Sequence, residues 1–399
     1  MRSELWERLK PAELRSHLKS AVLVIGFCTA VTFVFTQLGW FSGLESSSLD
    51  FFLKTGEPVP SKYVWLIAIT DDDYDHLFHE KSPLDADTLA KIIQIAAEGQ
   101  PAVIGVDIDT TKSTIVFDRK VMASSAHWPP IIWAQNAVQR DGVLEPQPVL
   151  GGAQPQPPAA LAFFPIDEND RVVRRYRRML PTVDGEERSM PWALVKTFCT
   201  VPSGTGHPAV CRRIDDPDSE HQESPLILTF SAGHHPNTRR IEATELLAQE
   251  NSDGWKENSP IKGQIVIVGG VFSKSADWYT TPFGPLPGAE LIAQAVEAEL
   301  QERTIKPAAE TFMLAVDVVC GFLLVIWQFY RPHRLHFALR MLAVPVLAVL
   351  ASYLVFFSHA HWINFVPVLA GVVIHEVYEN RHKHKPDDKV IAGPAITKE

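Results

Sequence analysis

Apolar residues fall into two regimes along the chain. Ser20–Trp40 is an uncharged apolar run, and Thr311–Phe329, Ala338–Phe357 and Trp362–Tyr378 are three further apolar runs, with Asp317, Arg340 and Glu376 inside them. A bilayer core takes about 20 apolar helical residues, so the pattern predicts transmembrane helices at 20–41, 308–330, 338–358 and 361–378. The first run is too long for a cleaved signal core and ends in Trp40 and Phe41, suited to an interface belt, so it reads as a retained anchor. Basic residues then set the orientation. Arg2, Arg8, Lys10, Arg15 and Lys19 precede the first run, Arg331 and Arg334 sit in the 331–337 loop, and Arg381, Lys383 and Lys385 lie in the 379–399 tail. Ser358–His361 carries no Lys or Arg. Segments 1–19, 331–337 and 379–399 are therefore expected in the cytoplasm and 42–307 outside.

Between these runs the pattern changes to short blocks. Val64–Thr70 and Ala102–Ile108 are continuous apolar stretches, as buried parallel strands require. Asp85–Glu98 places Leu89, Ile92, Ile93 and Ala96 at helical spacing. Ile131–Ala134, Leu226–Phe230 and Gln264–Gly269 read as further strands, and Pro191–Phe198, Ala243–Glu250 and Gly288–Gln301 as helices. Leu161–Met179 reads as a hairpin turning at Asp167–Asp170, and Gln139–Ala159 and Val201–Pro225 as long surface loops. The fold class expected is an α/β extracytoplasmic domain with a mixed, largely parallel sheet, plus an α-helical membrane part of four transmembrane helices.

Composition narrows the function. A net charge of −10 argues against a nucleic-acid partner, which needs a basic surface. Four cysteines are too few for a disulfide scaffold, and Cys28 and Cys320 lie in apolar runs. Cys199 and Cys211 flank a turn-rich stretch; in an oxidising compartment they would close it with a disulfide, and otherwise they are two unpaired thiols.

Asp71, Asp72, Asp73 and Asp75 cluster where one parallel strand should end, and Asp107 and Asp109 where another does. Ligands of open α/β sheets bind at the carboxyl ends of strands, so these carboxylates are candidates for a ligand or a hard cation. The competing reading is that they cap the following helix or solvate a loop. Gly269-Gly270 lacks the spacing of a nucleotide fingerprint and reads as a close approach of backbone, while Thr281-Pro282-Phe283-Gly284 reads as a rigid turn. Asp317, Pro345, Pro367 and Gly371 lie inside the late apolar runs and are candidates for coupling between membrane helices. His375-Glu376-x-x-Glu379 falls short of a zinc-protease motif and fits better as part of a basic, His-rich tail.

Several ordered motifs resemble the CHASE2 domains, the extracytoplasmic sensory modules of bacterial receptors. Leu49-Asp50-Phe51-Phe52 is similar to the family's opening segment, and Leu66–Asp72 and Ala102–Ile108 to its first two strands ending in acidic residues. Phe164–Arg175 resembles its Asp-rich turn running into Val-Val-Arg. Gly263–Gly270, Asp277, Thr281–Gly284 and Pro287-Gly288-Ala289-Glu290 resemble its final motifs, which brings Asp277 into the candidate set. Two segments depart from the pattern. Leu77–Pro83 replaces a Trp-Pro-Trp-like stretch and Asp109–Ser113 replaces Phe-Glu-Pro, so a pocket shaped by them would hold a different ligand or none.

The resemblance implies a sensor or regulator in a bacterial inner membrane that relays a signal to a membrane or cytoplasmic protein partner or a second copy. No enzymatic activity, cofactor or output domain is expected, and the resemblance names no small-molecule ligand. The alternative is a structural or accessory subunit of an envelope complex. A hydrolase using the Asp cluster is the third reading, and no nucleophile–base spacing supports it.

Overall fold

The computed structural model describes residues 42–309 except 57–59, 113–127, 153–155, 202–207, 215–225 and 230–237, with scattered residues of 22–41 and 311–373. The chain divides into two units, Leu49–Pro307 and the two flanking segments together.

The centre of the Leu49–Pro307 unit is a six-stranded sheet, parallel throughout. The strands are β1 (Val64–Ile69), β2 (Val103–Asp107), β3 (Ile131–Gln135), β6 (Ala159–Leu161), β11 (Arg239–Glu242) and β12 (Ile265–Gly270), in the order β11-β1-β12-β2-β3-β6. Val-Trp-Leu-Ile-Ala-Ile in β1 and Ile-Val-Ile-Val-Gly-Gly in β12 are buried on both faces, which is why neither alternates. At the edge, Arg-Arg-Ile-Glu in β11 is charged and half exposed. Pairing of Ile67 with Val268, and of Val268 with Val106, sets the register.

Helices cover both faces. On one lie α2 (Asp71–His76), α3 (Ala86–Glu98), α5 (Ala243–Leu247) and α6 (Asp253–Asn258). Leu89, Ile92, Ile93 and Ala96 of α3 turn inward against Ile67, Ile104, Val106, Val266 and Val268. Each fully buried Ile or Val side chain contributes roughly 1.5–3 kcal/mol of transfer free energy. The Asp85 side chain accepts from Thr88 N at 2.9 Å and starts α3. Trp255 of α6 donates through Nε1 to the Ile95 carbonyl at the other end (2.8 Å).

On the opposite face α4 (Met190–Thr200) packs against β2, β3 and β6, and α7 (Gly288–Leu300) against β1, β12 and α4. The α7 helix is buried along its whole length, including Glu290, Gln294, Glu297 and Glu299. Such carboxylates need partners. Glu297 Oε1 accepts from Ser61 Oγ and from the successive amides of Lys62, Tyr63 and Val64, at 2.6–3.0 Å. It thereby anchors the turn that feeds β1. Glu299 forms a two-point pair with Arg178 at 2.7 Å, and that guanidinium lies over the Trp192 ring.

A second ionic centre joins two segments distant in sequence. Arg174 is almost fully buried and takes Asp50, in the helix α1 (Ser42–Thr55), at 2.6 and 2.9 Å. It also takes Asp170 at 2.6 and 2.9 Å, with Asp167 at 3.5 Å.

Four expectations from the sequence are corrected by the structure. Leu161–Met179 is not a hairpin. The Asp167–Asp170 turn forms, but its flanks pair elsewhere: β6 with β3, Val172 with Thr280, and β7 (Arg175–Tyr176) with β10 (Leu226–Ile227). Gln139–Ala159 is not one loop, since β4 (Ala137–Arg140) and β5 (Val143–Pro146) form a hairpin. Its Asp141-Gly142 turn has φ of 51° and 81°, the two left-handed positions that an Asp-Gly pair supplies. The hairpin joins β8 (Met179–Thr182) and β9 (Gly185–Arg188) in a separate four-stranded sheet. The mixed character therefore belongs to the satellite sheets, while the central one is parallel.

The fourth correction is the membrane part. Among the described residues no helix is long and apolar enough to cross a membrane, so four transmembrane helices are not supported. The longest, α1, has 14 residues and carries Glu45, Asp50 and Lys54, short of the roughly 20 apolar residues a crossing takes. His361–Trp362, expected to open the last helix, is strand. Most of the predicted spans, and Asp317, Pro345, Pro367 and Gly371 among them, lie outside the described residues.

Candidate functional site

The carboxyl ends of β1, β12 and β2 lie side by side because Ile69 pairs with Gly270 and Gly269 with Asp107. A cleft of about 450 Å³ opens beside these ends, within the 49–307 unit. Asp107, Ile108 and Asp109 form part of its wall, Asn136 and Phe164 another, and Gly270 to Tyr279 a third, with Ser82, Pro83 and Leu84 beside Tyr74. This is the position where a parallel α/β sheet takes a ligand.

Two glycines allow the wall to form. A β-carbon on Gly269 would overlap that of Ala289, so glycine lets α7 close on β12. On Gly288 a β-carbon would overlap the carboxyl of Asp277, so glycine there seats the acid. The backbone N–H of Gly288 also donates to the Asp277 carbonyl at 2.9 Å. The residues Thr281–Gly284 turn β13 (Trp278–Thr281) into β14 (Gly284–Pro287), with Thr281 Oγ1 donating to the Gly284 carbonyl at 2.6 Å.

The chemistry of the cleft centres on two acids. Asp107 ends β2, and its buried Oδ2 has no hydrogen-bond partner among the described residues. Burial, and then the neighbouring charge of Asp277, holds its carboxyl well above the usual carboxylate range. Burial also raises Asp277, against the opposing hydrogen bond from the Tyr279 hydroxyl. Tyr279 is itself raised, by burial first and then by both carboxyls. Each of the two carboxyls therefore keeps its proton to a higher pH than an ordinary carboxylate does.

Around them the lining divides by character. Tyr74 and Phe272 stack with ring centres 4.2 Å apart, and Phe164 meets Tyr279 edge-on. Lys274 is the cation of the lining, and its ammonium is held by Glu80 at 2.8 Å and Asp75 at 3.7 Å. Its charge is thereby matched, and Asp107, Asp109 and Asp277 leave the lining acidic.

The predicted acidic set is divided by the structure. Asp107, Asp109 and Asp277 meet at the cleft, whereas Asp71 and Asp72 do not line it. Asp71 accepts from Ser273 N and Oγ at 2.8 and 2.7 Å, which lowers its pKa. Asp72 accepts through its backbone carbonyl from His76 Nδ1. Asp73 of the same cluster takes the capping role instead: it completes a capping box with Thr70 and accepts from Thr244 N at 3.0 Å and from the Thr244 hydroxyl. Asp109 closes a local turn onto Thr111 N at 2.9 Å. Among the described residues no group of three or more His, Cys, Asp or Glu side chains could hold a metal ion.

Sequence reasoning missed Tyr279, Asn136 and the Tyr74–Phe272 stack. Only Tyr279 left a signal, standing two residues after Asp277 and so on the same side of an extended segment. Cys199 and Cys211, at the end of α4 and in the short turn Ala209–Arg213, are joined by a disulfide.

The Leu49–Pro307 unit is thus a parallel α/β unit with an acidic cleft beyond its strand ends. The CHASE2 domain model matches residues 24–328, well over half of the chain. The chain belongs to the CHASE2 family, whose domains are extracytoplasmic and sensory. No curated protein and no solved structure matches it.

Proposed function

We propose that the chain is an extracytoplasmic sensor that acts by binding a small molecule in the cleft at the strand ends and passing its occupancy to a partner protein. The observation that carries this reading is the cleft of about 450 Å³ at the strand ends, lined by Asp107, whose buried Oδ2 has no hydrogen-bond partner among the described residues. A buried acceptor without a partner costs roughly 1–3 kcal/mol, which a ligand donor would recover. The disulfide between Cys199 and Cys211 supports an oxidising, extracytoplasmic setting. Both segments that depart from the family pattern contribute to the lining, through Ser82, Pro83 and Asp109, which supports a ligand particular to this chain. In this reading the carboxyls bind and do not catalyse.

Thermal unfolding of the full-length chain in small-molecule extracts of its host tests the proposal. Ligand at about a hundred times its Kd adds about 2.7 kcal/mol, so an active extract raises Tm by several degrees. An Ala162→Trp variant, which fills the cleft from its wall, should not respond. An equal rise in wild type and variant would sink the assignment of the site.

A further inference from the structure

The cleft offers its occupant an unusual combination. Of the charged side chains in its lining, three are acids and one is a lysine already paired to Glu80 and Asp75. Asp107 and Asp277 are half-buried, and Asp109 is exposed. The rest of the lining sets Leu84, Ile108, Phe164, Phe272 and Ile292 beside the neutral hydrogen-bonding groups of Tyr74, Ser82, Asn136, Ser275 and Tyr279. An anion would meet three carboxyls, and a neutral polyol would leave most of the apolar wall without contacts. A positive head on an apolar body satisfies both halves. The aromatic faces add to its hold, since a cation near a ring face gains about 0.5–2 kcal/mol.

Resting on the reading of this cleft as the sensory site, we propose that its ligand is a small organic amine bound as the ammonium, with its charged head on Asp107 and Asp277, and that one proton leaves the acid pair as the amine enters. The head donates N–H bonds to the carboxyls of Asp107 and Asp277, while its body lies along Phe164 and Ile292. The balance is simple: an ammonium and a carboxyl pair sharing one proton become an ammonium and two carboxylates, with that proton released to water. Asp107, Asp277, Tyr279, Tyr74, Asp109 and Lys274 are the charged and titratable groups of the lining. Burial holds Tyr279 protonated, and Lys274 keeps its charge through Glu80, so the carboxyl pair is the source of the proton. Affinity should therefore rise with pH while the pair titrates, because release of a proton is favoured as protons become scarce.

Two matched series on the full-length chain test this by titration calorimetry. Phenethylamine is set against 2-phenylethanol and phenylacetate, and 1,5-diaminopentane against 1,5-pentanediol. An amine should bind at least tenfold more tightly than its neutral partner, and more tightly at the higher pH of two. The heat should differ between phosphate and Tris buffers by the amount that one released proton requires. Asp107→Asn and Asp277→Asn should each weaken binding tenfold or more. If either variant fails to fold, the other and Ala162→Trp serve.

The failures separate. Alcohol or carboxylate binding as tight as amine binding, and lost in the same variants, overturns the amine and leaves the cleft standing. Amine binding unchanged in all three variants overturns the cleft as its site. Amine binding with no buffer-dependent heat overturns the proton release. No binding by any amine overturns the proposal.

Discussion

Removing the Glu297 carboxylate should detach the entrance of the central strand from the helix behind it. Glu297 Oε1 gathers Ser61 Oγ and three consecutive amides, and Oε2 takes Gln301 Nε2 at 2.7 Å. Hydrogen bonds to a charged group contribute about 1.5–3 kcal/mol each when lost alone. They do not add here, because Lys62 is exposed and the amides around it regain water when the carboxylate goes. Val64 is fully buried, so its amide has no such recourse and costs about 1–3 kcal/mol unsatisfied. Adding the partial loss at the other donors puts Glu297→Ala at about 3 kcal/mol, in the upper range of single substitutions. Glu297→Gln keeps an acceptor and loses the charge, and should cost about half as much. Hydrogen exchange followed by mass spectrometry reads this locally. Peptides covering residues 60–69 should exchange about a hundredfold faster in the alanine variant, since 1.4 kcal/mol is tenfold. A change below fivefold there would refute the idea that this carboxylate anchors β1.

Buried charges and the disulfide give three further outcomes. Arg174→Met leaves the half-buried Asp50 and the exposed Asp170 without their shared cation and should destabilise by about 1.5–3 kcal/mol in urea unfolding; a loss under about 0.5 kcal/mol would show the pairing to contribute nothing. Burial pushes Glu290 up to about 7 from 4.5, against the charge of Arg240. The folded state thus holds the proton more tightly, and stability should fall by about 3 kcal/mol as pH rises from about 4.5 through about 7. Comparing urea midpoints across this range with those of Glu290→Gln isolates the contribution, and an unchanged slope in the variant would contradict it. Replacing Cys199 and Cys211 by serine opens a loop with a separation of 12 residues and should cost about 3 kcal/mol. Equal unfolding midpoints for wild type and the double variant would mean the bond constrains nothing.

The pattern of apolar residues by itself marked β1, β2, β3 and β12 of the six central strands and the helices α3, α4, α5 and α7, but not β6, β11, α2 or α6. A strand buried on both faces must be apolar throughout, and β1, β2 and β12 read that way; α3 carries its inward face at helical spacing. The family was legible too, because its motifs are short runs joined to those strands. Hairpins outside the core were less legible, although Asp141-Gly142 announced one of them. The membrane part was inferred from apolar length alone, and no described helix supports it. What the tertiary structure decided is which acids meet. Asp71 and Asp107 both follow strands, but Asp71 is spent on Ser273 while Asp107 comes to face Asp277. Asp50 and Arg174 are likewise ordinary residues until folding brings them to 2.6 Å. Local sequence sets a residue's periodicity and its nearby bonds. Its neighbours across the sheet depend on strand order, and strand order is set only when all six strands compete for the same core.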